Sequence, residues 1–172
     1  LFRSGIEPTD GIFYPGIVQM NYMTGELIKS YGNAPKMIIA MFDMGGSINT
    51  VEFHSEYHGH EDSPKELLEA IDKLDVDFSP RQIAHVATLS ALANQKLVPK
   101  PHLEEIIKYS ATLGALGVNV AHSGTMVGVL FAPDESMKHV MEAVEKIREK
   151  FPALEYFETE RLISGGYDIE QR

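Results

Sequence analysis

Three features of the sequence predict an α/β (α+β) fold built on one sheet. Lys36 to Asp43 is a continuous apolar run suited to a buried strand. Leu116 to Phe131 holds two apolar, β-branched stretches around a short polar knot, His122-Ser123-Gly124-Thr125, and reads as two adjacent strands. Met137, Val140, Met141, Val144, Ile147 and Phe151 then form an apolar stripe at helical spacing. A last strand over Leu154 to Ile163 follows. Strand, helices, strand pair, helix, strand is the order of a split βαβ, ferredoxin-like arrangement, with additional helices enlarging the first crossover.

The elements justify themselves in turn. Glu7-Pro8-Thr9-Asp10-Gly11 has the composition of a turn, with Pro fixing φ and Gly free to take a positive one. Residues 12–32, punctuated by Tyr14-Pro15-Gly16 and Thr24-Gly25, read as short strands and turns. The buried strand ends in Met44-Gly45-Gly46-Ser47, and Asn49 to His54 is expected as a further short strand. Ser63-Pro64-Lys65-Glu66 signals a helix start, with Ser as N-cap and Pro in the first turn. Leu67, Leu68, Ile71 and Leu74 continue it. Ser79-Pro80-Arg81-Gln82 repeats the signal for a helix running to about Leu97, whose Ala84, Ala87, Thr88 and Ala91 make a small-residue face for close packing. Pro99 and Pro101 break the chain before a third helix with Leu103, Ile106, Ile107 and Leu113, which stops at Gly114 or Gly117. Asp134 is expected to cap the fourth.

Composition narrows the function. With 172 residues and a 44% hydrophobic share, the chain has material for a sizeable core, and no apolar run approaches the length of a membrane span. It has no cysteine, which excludes disulfides, thiolate catalysis and cysteine-bound zinc. Fifteen basic against 25 acidic residues give a net charge of −10, which argues against nucleic acid or an anionic membrane as partner. A phosphorylated ligand would need local N–H donors or a metal ion. The start, Leu-Phe-Arg-Ser-Gly, has no initiator Met and no signal-peptide pattern, so the sequence reads as a segment of a longer, cytoplasmic protein.

Chemistry-bearing residues collect at a few points. Small residues at the tip of the strand pair let backbone approach a ligand, and successive N–H groups in a tight turn form an anion-binding nest. An ordinary hairpin in which Ser123 and Thr125 satisfy the turn uses the same residues. From the residues alone, Asp10 reads as a turn aspartate bonding its own backbone. His54, His58 and His60 with Glu56, Glu61 and Asp62 look metal-like, but the segment has no periodicity and reads as a solvated loop, so no metal site is assigned.

Glu7-Pro8-Thr9-Asp10, Ala87-Thr88-Leu89-Ser90-Ala91 with Pro99-Lys100-Pro101, Gly117 to Gly124, and Ser164-Gly165-Gly166 together resemble the L-threonine kinases of cobalamin biosynthesis. These are GHMP-type kinases, in the superfamily of galactokinase, homoserine kinase, mevalonate kinase and phosphomevalonate kinase. The resemblance covers this whole chain but the C-terminal part of that family's length. It implies that residues 1–34 end the N-terminal kinase domain and connector, and that 35–172 form the C-terminal domain. The Gly/Ser-rich ATP-gripping loop belongs upstream, so the main ligands of ATP and Mg²⁺ are expected outside this chain, which alone would be inactive.

Residue roles follow from the resemblance. Asp10 would act as general base or orient the acceptor hydroxyl. Thr9, His122, Ser123 and Thr125 would bind the substrate, and Ser123 and Gly124 the phosphates. Implied partners are ATP, a small molecule such as L-threonine, the preceding segment of the same protein and, in a homodimer, a second copy. Two alternatives stay open: a non-catalytic ferredoxin-like domain binding a small molecule or partner chain, and a kinase of the same superfamily acting on another alcohol such as homoserine.

Overall fold

A computed structural model describes residues 14–21, 26–46, 64–96, 98–121 and 124–164. Thr9, Asp10, His122, Ser123, the predicted strand over 49–54, the histidine-rich stretch, the Ser63 cap and the closing 165–167 turn lie outside them. Strands β1 (Ile17–Asn21) and β2 (Glu26–Gly32) pair as an antiparallel ribbon. A four-stranded sheet contains β3 (Ile38–Asp43), β4 (Gly117–Val120), β5 (Met126–Phe131) and β6 (Glu155–Arg161). Its order is β4-β5-β3-β6, every pair antiparallel. This is the split βαβ topology expected from the sequence. The added helices, α1 (Lys65–Asp72), a 3₁₀ turn (Lys73–Asp75), α2 (Pro80–Asn94) and α3 (Leu103–Thr112), all fall in the β3–β4 crossover, and α4 (Met137–Lys150) makes the second.

Alternation explains why the sheet has a dry face. Along β3, Ile38, Ala40 and Phe42 are fully buried while Ile39, Met41 and Asp43 are not. Val118, Val120, Val127, Val129 and Phe131 extend that face, and Leu103 and Ile106 of α3 with Val140, Val144 and Ile147 of α4 cover it. A second cluster joins Ile17, Met37 and Leu130 to Leu67 and Ile71 of α1 and Ile83, Ala84, Val86 and Ala87 of α2. The ribbon is tied to that layer by Tyr31 stacked on Phe78, 6.0 Å between ring centroids, and by a Lys29–Asp75 ion pair.

The helix starts test the sequence reading locally. Ser79 caps α2 as expected, its Oγ accepting from Gln82 N at 3.2 Å with Pro80 in the first turn. Asp134 does not cap α4. A turn in which Glu135 N donates to Ala132 O at 3.2 Å takes up Asp134, and Ser136 is the extended residue whose Oγ accepts from His139 N at 3.1 Å. The α4 stripe is also narrower than its spacing suggested. Ala143 joins Val140, Val144 and Ile147 inside, while Met137 and Met141 stay 42% and 36% exposed. Along α1, Leu68 points outward at 49% exposure. Among the described residues no helix is long and apolar enough to cross a membrane.

Candidate functional site at the hairpin tip

Three strand ends meet at one edge of the molecule. Asp43 is the last residue of β3 and pairs with both Met126, the first of β5, and Glu155, the first of β6. At the same edge Ala121, which follows β4, donates its N–H to Met126 O at 2.9 Å. Met44 N donates to Thr125 O at 3.1 Å, so the segment leaving β3 is stitched to the hairpin tip. The sequence placed the tip between two apolar strands. The fold adds the β3 exit as its neighbour.

Asp43 is the chemical centre of this edge. Its carboxylate accepts the Thr125 hydroxyl proton and the Gly45 N–H, the latter at 2.9 Å, and these two bonds hold it below the usual aspartate range. Thr125 has one hydroxyl proton, and Asp43 takes it. Toward a ligand the Thr125 oxygen is therefore an acceptor, suited to an ammonium or hydroxyl rather than to a phosphoryl oxygen. Gly45 and Gly46 follow with φ of 72° and 85°, a conformation that side chains disfavour, which accounts for the Gly-Gly pair. At Gly124 a Cβ would stand 3.1 Å from that of Ala121, a tight approach that favours a residue without a side chain. Gly45 and Gly46 are exposed, and Asp43, Gly124 and Thr125 partly so, leaving this edge open to a ligand.

The stretches that carried the resemblance have structural work to do as well. On α2, the Thr88 hydroxyl donates to Ala84 O at 2.8 Å and accepts from Val118 N at 2.9 Å, locking the helix to β4. A Cβ on Gly117 would meet Ala84 O and Thr88 Oγ1, each at 2.5 Å. The small-residue face of α2 is thus a packing face, as its composition predicts, although His85 beside it faces solvent. Pro99-Lys100-Pro101 behaves differently: Lys100 is 4% exposed, and its backbone is pinned by the Gln95 amide, which accepts from Lys100 N at 2.6 Å and donates to Lys100 O at 3.0 Å.

Sequence reasoning missed Asp43 at the tip and the burial of Lys100. The available signals were an acidic residue ending an apolar run before Gly-Gly, and a lysine held between two prolines. Neither pattern says what the side chain meets.

An antiparallel sheet in this order, with helices on its dry face, defines a ferredoxin-like α+β domain. Residues 67–150 match the family described as GHMP kinases C terminal. Over nearly its whole length it is similar to L-threonine kinases. That of Citrobacter freundii is 22% identical, aligned across 96% of this chain and 59% of the relative. That of Salmonella typhimurium is also 22% identical, across 84% of this chain and 49% of the relative. The chain thus spans between about half and three-fifths of the length of the curated relatives it matches. Among solved structures, mevalonate kinase of L. major in complex with R-mevalonate superposes with a TM-score of 0.62, at 14% identity over 83% of this chain and 48% of that one. A homoserine kinase from Cytophaga hutchinsonii gives 0.52 at 14% identity, over 88% and 48%. At such identity these likenesses concern the fold.

Proposed function

We propose that this chain is the C-terminal part of an ATP-dependent kinase that transfers the γ-phosphoryl group of ATP to an alcohol, the side-chain hydroxyl of L-threonine. The observation that carries the reading is the hairpin tip held against the β3 exit at an exposed edge, in a chain whose residues 67–150 match the GHMP kinases C terminal family. The two L-threonine kinases aligned along most of the chain support the acceptor. In this reading residues 1–34 finish the N-terminal kinase domain and 35–172 form the C-terminal one. The placement in cobalamin biosynthesis goes with the same relationship.

Gly124 brings bare backbone to the open tip. Among the described residues no group of three or more His, Asp or Glu is placed to hold a metal ion, so Mg²⁺ ligands are not assigned to them. ATP, as its magnesium complex, supplies the transferable phosphoryl group. Asp10 takes or orients the proton of the acceptor hydroxyl. Gly124 and Ser123 offer donors to the phosphates, while Thr9, His122, Ser123 and the Thr125 oxygen hold the acceptor.

The complete protein that contains this chain, supplied with ATP and a panel of hydroxy amino acids, is expected to release ADP in response to L-threonine. Asp10→Asn is expected to lower kcat by roughly 10²- to 10⁴-fold while ATP binding is retained. No turnover with any hydroxy amino acid would overturn the reading. Unchanged turnover in the variant would remove Asp10 from the chemistry.

A further inference from the structure

Lys100 has a charge that the fold does not account for. Its side chain is buried, its Nζ is closed to solvent, and that nitrogen has no hydrogen-bond partner among the described residues. Burial pushes the ammonium below the ordinary lysine value. An unpaired buried cation is costly, and an apolar side chain of the same length would fill the space without that penalty. Packing alone therefore gives no reason for a lysine here.

Its backbone is nevertheless held firmly. The Gln95 amide clamps both the N–H and the carbonyl of Lys100, Leu103 N donates to that carbonyl at 3.3 Å, and a proline fixes φ on either side. A chain of contacts locates it. Helix α2 passes Gly117 and Val118 at Ala84 and Thr88, then brings Ala91 into the cluster with Val118 and Val120. The turn after α2 leads through Lys100 to His102, whose ring is 6.4 Å from Phe151. Leu154 N donates to Phe151 O at 2.9 Å, and Glu155 then pairs with Asp43. Lys100 thus belongs to the end of the domain that carries Asp43, Gly124 and Thr125. Its four-carbon stem can swing the ammonium from a fixed backbone, with three donors to present.

We infer that Lys100 is an oxyanion receptor of the hairpin-tip site, its ammonium pairing with the carboxylate of the acceptor. The inference rests on the kinase reading for the identity of that acceptor. A phosphate oxygen of the nucleotide offers the same chemistry, but one buried ammonium neutralises a monoanion, whereas a triphosphate would bring several further charges into the same apolar surroundings. The Asp43 carboxylate at the same end suits the opposite pole of a zwitterion.

The test uses the complete protein and Lys100→Met, which keeps the volume and removes the charge. KM is measured for L-threonine, for threoninol, which lacks the carboxylate, and for ATP. The variant is expected to raise KM for L-threonine about 10- to 100-fold, the loss of one hydrogen bond to a charged group. KM for threoninol and for ATP should hold, and the melting temperature should stay or rise. A rise confined to ATP keeps the receptor and assigns the oxyanion to the nucleotide. No change in any KM overturns it. Should the variant fail to fold, the wild type decides: discrimination between L-threonine and threoninol of less than about threefold overturns the carboxylate assignment. If the wild type phosphorylates no hydroxy amino acid, the acceptor reading fails separately. Calorimetry of L-threonine against threoninol binding then tests Lys100, with equal affinities counting against it.

Discussion

Thr88 and Thr125 use the same hydroxyl chemistry in two different regions. Thr88 sits where α2 meets β4, bridging Ala84 O and Val118 N across a contact so close that Gly117 has no room for a Cβ. Thr125 sits at the open edge and gives its proton to Asp43, a partner that keeps spare acceptor capacity. The first bond joins two backbone groups within a packed layer and gains rigidity. The second orients a charged group that a ligand can reach. The lesson is that a threonine in a motif can serve packing or chemistry, and its surroundings decide which.

The contrast is most easily broken on the packed side. Gly117→Val drives a side chain into the Ala84 carbonyl, which cannot move without displacing α2. It is expected to destabilise the protein by about 3 kcal/mol, the upper end of overpacking costs, read from a urea or thermal midpoint. A variant as stable as wild type would show that the α2–β4 contact is looser than described. Thr88→Val keeps the shape but strips Val118 N of its acceptor, and should cost about 1–2 kcal/mol. The same change at Thr125 should leave the midpoint nearly where it was.

Thr125→Val should instead register on Asp43. Because the folded carboxyl lies below its unfolded value, its contribution to stability is fully present above the ordinary aspartate range and is lost as pH falls through the lowered value. Acid, not alkali, therefore loosens the tip. An NMR titration should find the Asp43 carboxyl titrating at higher pH in Thr125→Val than in wild type. Identical titration curves would mean that the hydroxyl does not serve Asp43 in solution.

Much of the domain was legible from local pattern. The run to Asp43, the twin strands around the polar knot and the α4 stripe each followed from periodicity, and Ser79-Pro80 announced α2 from its capping chemistry alone. The cap of α4 was misplaced because Asp134 and Ser136 are both good capping residues. Only the turn over 132–135 shows that the chain has not yet entered the helix at Asp134. The site was less legible. Thr9, Asp10, His122 and Ser123 came from resemblance rather than from any local physical necessity. Asp43 went unnoticed because its bond to Thr125 joins residues far apart in sequence.

By itself, the sequence determined the order of the main strands and helices and most of the face each buries, because hydrophobic period, capping and φ preference act within a few residues. The tertiary structure decided which hydroxyl meets which carboxylate, that a proline-flanked lysine is enclosed without a partner among the described residues, and that three strand ends share an edge. Those depend on where distant segments come to rest, and no local period encodes that.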